Sequence, residues 1–146
     1  MDYVSQDICE YDGSGDGVAL QTGEWNFSQI DIISDITNIP EPDSSFDIIL
    51  CTEVFQHIID PKAAIQEFSR LLKPKGTLIL TTPVSSFTHF APHYYNNGFS
   101  RYYLESILPE NGFKIEKLNY NGNYFEYMAI YQLIPAFLQH RYLKPL

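Results

Sequence analysis

The chain has 146 residues, 45% of them apolar and 18% charged, which is enough to fill one hydrophobic core and too apolar for a disordered segment. Its formal net charge of −9 excludes the basic stripe with which nucleic-acid binders neutralise phosphates, so a small neutral or cationic ligand is the better match. Aromatic residues make up 15%, which points to rings lining a core or a pocket.

The opening MDYVSQDICEYD is acidic and lacks the basic and apolar runs of a signal peptide, and no stretch reaches the ~20 apolar residues of a membrane helix. A soluble, cytoplasmic protein with no membrane partner is expected. YVSQDI, residues 3–8, patterns as a short strand ending in an acid. GSGDG follows at 13–17 and spells a nucleotide loop, with Asp35 standing 18 residues beyond Gly17. VALQTGEWNFSQ behind it holds Gly23, Asn26 and Ser28, with no apolar stripe and no cap, so the helix that such a loop must open is missing and the stretch reads as a plain loop. IDIISD (30–35) and FDIILC (46–51) are buried-strand runs, separated by the strand-breaking TNIPEPDSS. Cys9 and Cys51 lie in such apolar runs without metal-ligand spacing and read as buried thiols in a reducing compartment.

Asp60 and Pro61 form a helix start, and KAAIQEFSRLL then sets Ala64, Ile65, Phe68, Leu71 and Leu72 on one face. Lys73-Pro74-Lys75-Gly76 ends that helix, and TLILTT (77–82) is the next strand. Strands alternating with amphipathic helices predict a parallel α/β sheet. Past Pro83, SSFTHFAPHYYNNGFSRYY is aromatic, and Ser100 caps a helix expected to stop before Pro109. FKIEKL and YFEYMAIYQL, divided by Asn121-Gly122, read as two closing strands in an antiparallel hairpin. One domain over 1–146 is expected, with a proline-broken tail.

The series IDIISDITNIP, FDIILCTEVFQHI and DPKAAIQEFSRLLKPKGTLILTTP resembles the middle and later part of a Rossmann-like, class I S-adenosylmethionine-dependent methyltransferase of the type 11-like kind, from about Tyr3 to about Leu133. The resemblance implies that Asp7 holds the cofactor's ribose hydroxyls, that Asp35 with the N–H of Ile36 reads the adenine, and that Cys51, Thr52 and Glu53 pass its methionine part. It implies S-adenosylmethionine as cofactor and a small-molecule methyl acceptor. The family's first strand and glycine-rich loop would precede Asp7 by more residues than are present, so an N-terminally truncated form is expected. Such a form closes its sheet differently or by homo-oligomerisation, since a gap would expose unpaired backbone groups.

His57, four residues past Glu53, reads as a packed, hydrogen-bonded imidazole. His89, His93, Tyr94 and Arg101 gather after the strand TLILTT, where the family places substrate contacts. Pro92 between the two histidines, with no acid or cysteine to complete a set, argues against a metal. Two functions stay open: methyl transfer, and a noncatalytic remnant that associates with itself. A nicotinamide dehydrogenase is a distant third, because its glycine fingerprint is absent.

Overall fold

The computed structural model describes residues 3–11 and 26–129; GSGDG and the tail from residue 130 lie outside them. The chain divides into two compact units, one ending at Ile115 and one beginning at Glu116. In the first, β1 (Gln6–Asp7) pairs in parallel with β2 (Ile32–Ile33), and β3 (Phe46–Thr52) pairs in parallel with β4 (Leu72–Thr81). The crossover from β3 to β4 is α1 (Pro61–Leu71), and α2 (Arg101–Glu110) follows β4.

Parallel strands joined by a helix are the α/β class that the alternating pattern predicts. Helix α1 starts where expected: Asp60 is the N-cap, its carboxylate accepting from Ala63 N at 3.0 Å, and Pro61 occupies the first turn, where a missing N–H costs nothing. Strand β4 begins five residues earlier than expected. The chain passes straight from helix to strand at Leu72, and Lys73–Gly76 form an irregularity between the pairs Phe46–Leu72 and Ile48–Thr77. Gly76 is needed there, because a Cβ would stand 2.9 Å from Lys73 O and 3.1 Å from Asp47 O.

The core forms on one face of this sheet. Cys51, Ile49, Leu78 and Leu80 meet Ala64, Ile65 and Phe68 of α1, and Ile107 of α2 joins them. Phe55 is fully buried, its ring centroid 6.2 Å from that of Phe68 and 5.8 Å from that of Phe99. The other face is bare: Ile48, Leu50 and Ile79 are 48%, 67% and 47% exposed. Parallel sheets are ordinarily covered on both faces. Among the described residues β3 pairs only with β4, and its far edge has no partner strand among them.

A polar clamp fastens the loop before β3 to α1. Buried Glu67 accepts from Ile39 N at 2.7 Å, and Arg70 donates to Glu67, to the carbonyls of Ile39 and Glu41, and to Asp43.

Two further expectations fail. All observed pairing is parallel, so there is no antiparallel hairpin among the described residues: 113–120 form no strand and 124–129 are helical. Asn123 explains the change, since its Oδ1 accepts from Phe125 N and Glu126 N while Glu126 Oε2 accepts from Asn123 N, a reciprocal cap that starts a helix. Helix α2 also runs one residue past Pro109, because a proline in the last turn forfeits only one bond there.

Candidate functional site

Parallel pairing of β1 with β2 sets their carboxyl ends side by side, with Asp7 opposite Ile33 and Asp35 two residues further on. Asp7 Oδ1 accepts from Cys9 N at 2.7 Å, which turns the chain sharply and gives Cys9 a φ of 58°. Cys9 is therefore half-exposed beyond the strand, and not the buried thiol expected from its apolar neighbours. Asp35 is exposed; its Oδ1 accepts from Thr37 N and Thr37 Oγ1, both at 2.7 Å. That side-chain turn fixes the carboxylate and leaves Oδ2 without a donor among the described residues. The Ile36 side chain packs against the core while its N–H has no partner among them. An acceptor oxygen and a donor N–H thus stand open on consecutive residues.

At the end of β3, Cys51 is buried, and burial pushes its thiol up to about 12. Its side chain faces the core, so only its backbone can serve a ligand. Thr52 is exposed, and Glu53 takes φ 56°, a left-handed turn that a non-glycine residue keeps only when held. Two bonds to Thr81 hold it: Glu53 N donates to Thr81 O at 3.0 Å, and Thr81 Oγ1 donates to Glu53 Oε1 at 2.8 Å. The ends of β3 and β4 are locked together at this point.

The 3-10 turn Phe55–His57 follows, and around it the histidines meet. His57 Nδ1 donates to His93 O at 2.6 Å, and its ring lies edge-on to those of His89, Phe90 and Tyr94 at centroid distances of 4.7, 5.2 and 6.1 Å. Burial, outweighing the His93 hydrogen bond, holds His57 below the ordinary histidine value. The ring is packed and hydrogen-bonded, as its position suggested. Tyr94 Oη donates to Ser86 O at 2.8 Å, tying the segment into a loop. Tyr11, four residues past Asp7, packs edge-on against Phe90 at 4.9 Å, which joins the carboxyl end of β1 to this cluster. Arg101 pairs with Glu105 one turn along α2.

Beside the cluster lies a groove of about 510 Å³, lined by Pro61, Val84, Asn96, Gly98, Phe99, Ser100 and Tyr103. Asn96 forms a partition between groove and cluster, with its N–H donating to Gln56 O and its amide to Ile58 O. Gly98 allows the close approach, because a Cβ would stand 2.2 Å from Val84 O. Gln56 and Asn96 were not singled out in the sequence. A polar residue inside VFQHI was the available signal for Gln56.

A family model for a methyltransferase domain matches residues 4–80. The demethylmenaquinone methyltransferase of Paenarthrobacter aurescens (strain TC1) is 28% identical over 111 residues, which are 75% of this chain and 41% of that one. The ubiquinone biosynthesis O-methyltransferase of Xanthomonas oryzae pv. oryzae (strain PXO99A) is 48% identical over 42 residues, 29% of this chain and 18% of that one. The protein of the same name from Leptothrix cholodnii (strain ATCC 51168 / LMG 8142 / SP-6) is 30% identical over 64 residues, 44% and 27% of the two chains. The chain spans less than half the length of each of these relatives.

Proposed function

The chain belongs to the methyltransferase domain family, and on that premise we propose that it serves methyl transfer from S-adenosylmethionine to a small, hydroxyl-bearing ring compound. The observation that carries this reading is the open pair at the end of β2, Asp35 Oδ2 with Ile36 N–H. An acceptor beside a donor matches the donor and acceptor edge of adenine. In open parallel sheets ligands bind beyond the carboxyl ends of strands, where Asp7, Asp35, Thr52 and Glu53 lie. Asp7 would take the ribose hydroxyls, and the backbone from Cys51 to Glu53 would face the methionine part.

When bound, S-adenosylmethionine supplies an electrophilic methyl group on a sulfonium. The protein's share is to orient the acceptor and exclude water, which suits a site made of backbone turns and rings. The ring-rich cluster at His57, with relatives whose names place them in quinone biosynthesis, supports an aromatic acceptor. Calorimetric titration with S-adenosylhomocysteine tests the reading. The chain should bind it, and Asp35→Ala should weaken binding by about tenfold, about 1.4 kcal/mol, while Asp43→Ala leaves it unchanged. Equal affinity in Asp35→Ala would remove the adenine assignment.

A second reading draws on the edge of β3, unpaired among the described residues, and the exposed Ile48, Leu50 and Ile79: self-association that extends the sheet across copies. Sedimentation separates the cases. A dimer lost in Leu50→Lys supports this reading, and a monomer at all concentrations removes it.

A further inference from the structure

Residues 87–96 form a loop closed at its stem, where Ser86 N donates to Asn97 O and Phe99 N to Pro83 O, both at 2.8 Å. The loop lies on the 3-10 turn that follows β3. Tyr95 N and Asn96 N donate to Gln56 O at 2.9 and 3.1 Å, the Asn96 amide donates to Ile58 O at 2.8 Å, and His57 Nδ1 donates to His93 O at 2.6 Å.

Two of the imidazoles suit this contact only while they are neutral. His57 Nε2 is buried with no hydrogen-bond partner among the described residues, so a proton arriving there brings a charge that nothing accepts. The titratable groups that act on His57 are His89 and His93, cations themselves once protonated. The other rings that face it are Phe90 and Tyr94, and from the β1 side Tyr11 reaches the cluster through Phe90. At His89 the conflict takes another form. Its Nδ1 donates to Phe87 O at 2.7 Å, so the lone pair is on Nε2 and faces Gln56 Nε2 at 3.5 Å. A proton on His89 Nε2 would confront that NH2 group. Gln56 Oε1, which could receive it, is the unmatched end of an amide whose Nε2 is held by Glu53 O at 2.7 Å.

We infer that His57 is an acid sensor and the loop a pH-controlled cover: protonation of the imidazole lifts residues 87–96 off the turn and opens the ring cluster beside Glu53, while the stem stays closed. This property belongs to the loop itself and holds whether or not the chain transfers a methyl group. Its sign follows from burial, which outweighs the His93 hydrogen bond and holds the closed-state imidazole below its ordinary value of about 6.5. The contribution to closure is therefore fully present above that value and is lost as pH falls through the closed-state value.

Hydrogen exchange of the full chain reads closure directly. Between pH 7.5 and pH 5.5 the Tyr95 and Asn96 amides should lose about tenfold in protection, corrected for the intrinsic effect of pH, because one proton gives a factor of ten per pH unit below about 6.5. The amides that join β3 to β4 should keep theirs. In His57→Asn, which retains a donor for His93 O and cannot be charged, protection should be the same at both pH values. Unchanged protection in the wild type at pH 5.5 overturns the proposal, as does a loss that His57→Asn repeats in full. Proton NMR of the wild type decides the matter if the variant's loop is already open at pH 7.5. The His57 ring should then titrate below about 6.5, over the interval in which protection falls, and a ring that titrates while the loop stays protected overturns the proposal.

Discussion

Replacing Glu67 asks whether the clamp on α1 holds the loop that feeds β3. In Glu67→Ala the N–H of Ile39, a residue only 8% exposed, loses its acceptor at 2.7 Å. A buried donor left unmatched costs about 1–3 kcal/mol. With a midpoint near 2 kcal/mol, the Tm of a chain this size should fall by about 4–8 °C. Glu67→Gln keeps an acceptor oxygen for Ile39 and should cost less than the alanine variant. Its pH response should also differ. Hydrogen bonds from Arg70 hold the Glu67 carboxyl below its ordinary range, so its contribution is present above the unfolded value of about 4.3 and is lost as pH falls through the folded value. Urea unfolding at pH 7 and at pH 3.5 reads both effects. The wild type and Glu67→Gln should converge at the lower pH. Equal losses in the glutamine and alanine variants at pH 7, or the same acid dependence in wild type and Glu67→Gln, would refute the reasoning.

Phe55→Ala removes a ring that is fully buried between Phe68 and Phe99, and urea unfolding should show a loss of about 3–5 kcal/mol; a loss under 1 kcal/mol would mean the core lies elsewhere. Gly98→Ala drives a Cβ to 2.2 Å from Val84 O, so the contacts that bind residues 83–86 to 97–99 should open and protease should cut there first; an unchanged cleavage pattern would contradict that geometry. Cys51, with its thiol pushed up to about 12 by burial, should resist a thiol-specific reagent at pH 8 until urea is added, whereas half-exposed Cys9 should react in the folded chain. Two fast-reacting thiols would show that β3 does not face the core.

Where one local signal had no competitor, the sequence was readable. Asp60-Pro61 before an apolar stripe identified the start of α1 to the residue, and FDIILC identified β3 to within one. The carboxylates at the strand ends were placed by the same alternation: Asp7 is the last residue of β1, and Asp35 lies two residues past β2. Other features depend on partners that periodicity cannot supply. Strand β4 extends back to Leu72 because Phe46 is there to pair with it, despite Pro74 and Gly76. The closing strand at 124–129 gave way to a helix because Asn123 and Glu126 cap each other, a short polar pattern that outweighs β-favouring aromatics. At the site, the family resemblance made Cys51 a ligand contact while its apolar run made it a buried thiol, and alternation in β3 does turn its side chain to the core. Gln56 escaped notice because its importance lies in an unmatched oxygen, which only three-dimensional packing reveals.

The central claim, methyl transfer from S-adenosylmethionine, is tested most directly by incubating the chain with methyl-labelled cofactor and catechol and following the label. Label should appear on the catechol oxygen and be reduced in Asp35→Ala. A chain that binds S-adenosylhomocysteine and catechol together yet transfers no label would contradict it.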